Sequence, residues 1–272
     1  MNRLIRIVVW IVGFLAAAYI VIAALLWSQQ GKLLYPAPRI IDSTTGAFEK
    51  VSYPTEDNLI IQAGYRQAAA GQPTLLYFHG NGTDWVSTVM ATDRLVPVGY
   101  GVLAAEYRGY RGNPGSPSEE GLYRDGRAAV AFLQSEGLDA KQIVIIGNSI
   151  GSGVAVEMAR DIHPLALILI SPFASLSDLV AEKFRWLPTG LLLRDRYENA
   201  SKLPDIYSDI LILHGDADSL IPHEHAKRLA AANPRAQLRI FPGAGHDLAW
   251  QDGAEEAVLD FLDEPIHRRK MR

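Results

Sequence analysis

Short apolar runs recur along most of the chain, at residues 74–78 (TLLYF), 101–105 (GVLAA), 142–146 (QIVII), 166–170 (ALILI), 210–213 (ILIL) and 238–241 (LRIF). Runs this short and this continuously apolar suit strands covered on both faces. Helical stretches separate them, around residues 121–136, 149–160, 223–232 and 254–262. Strand and helix in alternation predict an α/β fold, a mainly parallel central sheet with helices on both faces. Upstream, residues 48–53 and 59–66 alternate about a turn-like 54–58 and predict an antiparallel hairpin at the sheet edge. In such a sheet the chemistry belongs beyond the C-terminal strand ends.

One strand end carries a strong signal. Gly147-Asn148-Ser149-Ile150-Gly151 is a G-x-S-x-G sequence lying directly between the strand-like QIVII and the helix-like SGVAVEMAR. A serine on a sharp strand-to-helix turn needs small neighbours, which Gly147 and Gly151 provide, and the following helix aims its free N–H groups at the same place. A serine hydroxyl is a weak nucleophile, so an imidazole must take its proton and a carboxylate must orient that imidazole. Downstream strand ends offer both: Asp218, past ILIL, and His246, past LRIF. Asp216 is an alternative acid, although the form G-x-x-D-x-x-[I/V]-P across Gly215 to Pro222 favours Asp218.

Other candidates have ordinary structural readings. His79 reads as structural because the imidazole role is filled. His223 and His225 flank Glu224 at a helix start, and residues two apart do not share a helical face, so no metal site is expected. Glu106 and Arg108 read as a structural ion pair.

Together, Tyr77-Phe78-His79-Gly80-Asn81, Tyr107-Arg108-Gly109-Tyr110 with 117–121 (PSEEG), the Ser149 motif, His214-Gly215-Asp216-Ala217-Asp218 with Ile221-Pro222, and Gly245-His246 resemble the α/β-hydrolase superfamily over about residues 47–265. The nearer likeness is to the branch holding bud-emergence-type proteins and depalmitoylase-like serine hydrolases. That resemblance implies a Ser149–His246–Asp218 triad, with oxyanion donors at the backbone N–H groups of Asn81 and Ile150. It implies cleavage of an ester, thioester or related acyl bond through an acyl-enzyme, without cofactor or metal. The same constellation serves a peptidase or an acyltransferase, and the fold also occurs in non-catalytic binding proteins. Residues 172–209, with Phe173, Phe184, Trp186, Leu187 and 191–193, lie where superfamily members carry a cap, and read equally as a lid or as core packing.

At the other end, residues 7–27 run for 21 positions without a charge, about 30 Å as a helix, with Trp10 and Trp27 toward its ends. The expected organisation is a membrane anchor at 1–30, a tether at 31–46 and a hydrolase domain at 47–272. Arg3 and Arg6 place the N-terminus on the cytoplasmic side and the domain on the far side. The alternative is a signal peptide cleaved after the 16–18 alanines, giving a secreted protein. Without Arg3 and Arg6 the chain holds 24 basic against 30 acidic residues, which argues against nucleic-acid binding. With no cysteine, disulfides, thiolate metal sites and palmitoylation of this chain are excluded. The expected partners are an acyl substrate, amphipathic in character, and the membrane.

Overall fold

A computed structural model describes residues 2–38, 46 and 48–270, with side chains as far as Asp263. The chain opens with α1 (Arg3–Leu34), a continuous helix whose most apolar window has mean hydropathy 2.7 and no burial against the rest of the molecule. It is long and apolar enough to cross a bilayer, for which about 20 residues suffice. The helix continues through residues 28–34, part of which was expected as tether. No proline interrupts it before Pro36, and its last turns are packed and hydrogen-bonded to the domain. The remainder of the expected tether at 39–45 lies outside the described residues.

The hairpin of β1 (Glu49–Pro54) and β2 (Ile60–Arg66) comes next, followed by β3 (Thr74–Phe78), α2 (Trp85–Met90), β4 (Gly101–Ala105), α3 (Glu119–Ser135), β5 (Ile143–Asn148), α4 (Gly151–Ile162) and β6 (Ala166–Ile170). A cap of short helices, α5 (Leu176–Lys183), α6 (Thr189–Leu192) and α7 (Asn199–Lys202), precedes β7 (Asp209–Gly215), α8 (Glu224–Ala232), β8 (Ala236–Phe241) and α9 (Asp252–Lys270). Among the described residues the strands form one eight-stranded sheet in the order β1-β2-β4-β3-β5-β6-β7-β8. Pairing is antiparallel for β1 with β2 and β2 with β4, and parallel from there on. The predicted α/β architecture with its edge hairpin is the one observed.

Successive strand residues divide between two cores. Leu76, Phe78, Ile145, Leu167, Leu169 and Ile212 face one, with Leu122 of α3, Val154 of α4 and Leu229 of α8. Leu75, Tyr77, Val144, Ile146, Ile168 and Leu213 face the other, with Trp85 of α2 and Phe261 of α9. Each large aliphatic side chain buried this way contributes about 1.5–3 kcal/mol relative to exposure. Helix boundaries follow local chemistry: the Ser118 hydroxyl accepts from Gly121 N–H at 3.1 Å to start α3, with Glu119 and Glu120 in its first turn.

Segment 172–209 divides between buried and exposed side chains. Phe173 and Tyr197 are core, whereas Phe184, Trp186 and Leu191 are exposed. The cap helices and α2 were not anticipated, because elements of four to eight residues are too short to display a helical period.

Candidate active site

Ser149 sits at the turn between β5 and α4 with φ of +52°, a left-handed conformation that costs a non-glycine residue of order 1 kcal/mol. Its N–H donates to Ile170 O at 3.0 Å, which holds the turn against β6. The flanking glycines are required by space. A Cβ on Gly151 would lie 2.1 Å from Phe78 O, and one on Gly147 would lie 2.5 Å from Ala155 Cβ. The serine therefore projects from a turn that only this small-residue frame permits.

His246, in the loop after β8, reaches back over the sheet edge. Its Nε2 is 2.9 Å from Ser149 Oγ and its Nδ1 is 2.7 Å from Asp218 Oδ2, in the loop after β7. The other Asp218 oxygen accepts from the N–H groups of Leu220 and Ile221, both at 2.8 Å. Burial alone would raise this carboxyl, but hydrogen bonds from His214, His246 and Ile221 N–H outweigh it and hold Asp218 well below the ordinary carboxylate range. A permanently ionised acid, an imidazole and a serine thus form one hydrogen-bonded line, with the histidine side chain about a quarter exposed at its solvent side.

Facing Ser149 across β3 is the loop of His79, Gly80 and Asn81. His79 is buried and bridges Gly80 O at 2.9 Å and Glu106 Oε1 at 2.6 Å. Burial disfavours protonating that imidazole, but the adjacent Glu106 carboxylate prevails and raises it. The pair braces the loop, and Tyr107 OH donates to His79 O at 2.9 Å. Among the described residues, the backbone N–H groups of Asn81 and Ile150 donate to no protein acceptor. The Asn81 side chain is engaged at both ends: its Nδ2 donates to Leu34 O at 2.6 Å, and its Oδ1 accepts from Tyr110 OH at 3.0 Å.

The rival residues point elsewhere. Asp216 accepts from Gly243 N–H at 2.6 Å and Asp247 from Gln251. His225 accepts from Ala174 N–H, while His223 lies 3.3 Å from Glu224. Glu106 and Arg108 are not paired with each other, as had been expected: Glu106 holds His79, and Arg108 holds Asp57 and Asp125.

A family model described as "Alpha/beta hydrolase family" matches residues 75–200. An uncharacterized protein of Mycobacterium tuberculosis is 35% identical over 270 residues, covering 94% of each chain. The chain belongs to the α/β-hydrolase family. An uncharacterized membrane protein of Saccharomyces cerevisiae is 27% identical to this hydrolase, over 93% of it and 95% of the yeast chain. Among solved structures, an esterase of Pyrococcus furiosus superposes with a TM-score of 0.69 at 20% identity, covering 84% of this hydrolase and 96% of the esterase. A structure described as a membrane phospholipase A superposes with 0.62 at 18% identity, over 97% and 99% of the two chains. The hydrolase shares their fold.

Several residues of the site escaped sequence reasoning. Gln30 bonds Leu192 O and Arg194 N–H, and the Tyr35 hydroxyl bonds Asp195 and Tyr197. These contacts, with Gly82 N–H donating to Pro36 O at 3.0 Å, tie the end of α1 to the cap and to the loop after β3. Gln29-Gln30, polar residues just past an apolar run, were the available signal. His214 stood in the motif that ends at Asp218, but its contact with that carboxylate exists only once the loop after β7 folds back.

Proposed function

We propose that this is a membrane-anchored serine hydrolase that cleaves an ester, thioester or related acyl bond. The observation that carries the reading is His246, held between Ser149 Oγ at 2.9 Å and Asp218 Oδ2 at 2.7 Å at the C-terminal edge of the sheet. Ser149 attacks the carbonyl carbon while its proton passes to His246 Nε2, and Asp218 fixes the tautomer and stabilises the imidazolium. The N–H groups of Asn81 and Ile150 receive the oxyanion, where one such donor is typically worth about 3 kcal/mol of barrier. Protonation of the leaving group by His246 yields the acyl-enzyme. Water, activated by the same imidazole, then releases the acid.

In the same reading α1 is the anchor, with its N-terminus on the cytoplasmic side and the domain, from about residue 47, on the other; Arg3 and Arg6 support that sense. The full-length chain in membranes should be labelled by a fluorophosphonate probe and should hydrolyse p-nitrophenyl esters. Ser149→Ala should lose both with its thermal unfolding unchanged. Equal labelling of the two proteins would remove Ser149 from the mechanism. Because the chain has no cysteine, single cysteines at Asn2 and Gly137, treated with an impermeant maleimide in intact cells, test the orientation. Labelling at 2 but not at 137 would reverse it.

A further inference from the structure

The second half of α1 runs alongside the cap. Tyr19 OH donates to Trp186 O at 3.1 Å with the two rings edge-on, and the Arg194 guanidinium lies over the Trp27 ring at 4.0 Å. The charge-free run ends at Trp27, so Tyr19 stands about 12 Å toward the bilayer interior at 1.5 Å per residue. A helix that spans the membrane with Trp27 at the interface therefore carries Trp186 below that interface. This stretch of the cap exposes large apolar side chains: Phe184, Trp186 and Leu191 are 40%, 52% and 88% exposed. At the level of Trp27, Arg194 has no carboxylate partner among the described residues, the arrangement that lipid phosphates favour.

Between the cap and α1 lies a cavity of about 300 Å³, walled by Leu26, Trp27 and Leu33 on the helix side and by Phe184, Leu187 and Leu192 on the cap side. A dry cavity of about 150 Å³ accommodates a six-carbon ring, so this one takes about twelve carbons. Its wall also includes Leu34, whose carbonyl is bonded by Asn81. Asn81 adjoins Gly80, and a Cβ on Gly80 would be 3.3 Å from Ser149 Cβ. Leu34 thus joins the wall of this cavity, through Asn81 and Gly80, to the loop that packs against Ser149.

We propose that the Phe184–Trp186–Leu191 ridge is immersed in the near leaflet, and that the cavity between ridge and α1 receives one acyl chain of a bilayer glycerolipid. This rests on the serine-hydrolase reading and names its substrate. The lipid's ester carbonyl meets Ser149, the acyl C–O bond breaks, and the lysolipid oxygen leaves with the proton held by His246. Water then supplies the hydroxyl that converts the acyl-enzyme to a free fatty acid.

The test uses the full chain in vesicles of phosphatidylcholine and phosphatidylglycerol. An environment-sensitive fluorophore on Leu191→Cys should be strongly quenched by lipids brominated on the acyl chain, and one on Ser135→Cys, at the opposite end of the sheet, should not. Equal quenching at the two sites overturns immersion of the ridge. Filling the cavity with Leu187→Trp should lower the laurate-to-butyrate ratio of p-nitrophenyl ester turnover by about tenfold, with a matching fall in fatty acid released from the vesicles. Leu33→Trp fills the cavity from the helix side should the first variant misfold. An unchanged ratio in a folded variant overturns the cavity assignment. Wild-type protein that labels with fluorophosphonate yet releases no fatty acid from vesicles defeats this inference alone, whereas absence of labelling defeats the serine-hydrolase reading beneath it.

Discussion

Every residue from 143 to 159, through β5, the Ser149 turn and most of α4, is buried, whereas none between 180 and 188 in the cap is. The first is over-determined: backbone meets backbone at Gly151 and Phe78, and Ser149 is held in a strained conformation because everything around it fits no other way. The second leaves large apolar side chains without protein to cover them. Atoms that must meet a carbonyl within a few tenths of an ångström are bought with packing on all sides, and a surface meant to meet something else is left free of it.

The sharpest way to break this contrast is at the charge line that the buried region holds. Asp218→Asn preserves shape but removes the acceptor that fixes the His246 tautomer, and kcat should fall by about 10⁴-fold. Asp216→Asn loses one hydrogen bond, to Gly243, and should change kcat by less than about tenfold. Comparable losses in the two variants, measured on one ester, would move the acid role away from Asp218. Next in size is Gly151→Ala. The added carbon would sit 2.1 Å from a strand carbonyl that cannot give way, so urea unfolding should show a loss of about 3 kcal/mol or more.

That contrast also marks what the sequence could reveal. The elbow is legible because its constraints are local: five consecutive residues state both the strand-to-helix turn and the serine on it, and the loops of Asp218 and His246 each follow a recognisable strand. The sheet is legible for the same reason, since buried parallel strands are spelled as unbroken apolar runs. What hid were contacts between distant segments. Gln30 and Leu192 are 162 positions apart, and the Asn81 side chain reaches back 47 residues to Leu34. Nothing periodic announces such pairs, so the end of α1 read as a tether although it is bonded to the cap and to Asn81. Glu106 and Arg108 show the converse error, being two positions apart in sequence with opposite charges yet committed to different partners.

Acid provides a finer probe of the buried side. Asp218 is ionised more readily in the folded protein than in the unfolded chain, so its contribution to stability is present above a pH of about 4 and is lost as pH falls through the lower folded value. Asp218→Asn has no such contribution to lose. The difference in Tm between wild type and this variant should therefore be greatest near neutrality and shrink on acidification. A difference that stays constant from about pH 7 to about pH 3 would mean that the carboxylate is not held by the contacts described.

The smallest effect is expected on the cap, and its sign matters more than its size. Gly190 lies within α6, and a Cβ added there meets nothing within 4 Å. Gly190→Ala lowers the backbone entropy of the unfolded chain and improves helix propensity without a clash, so stability should rise by about 0.5 kcal/mol. The same methyl group that is ruinous at 151 is then mildly favourable at 190. Thermal unfolding of the pair separates two accounts of the cap. A gain at 190 means that the region has unfilled space and takes its order from whatever covers it. A loss approaching that of Gly151→Ala would mean that the cap is packed as tightly as the elbow and that its exposed aromatic residues are incidental.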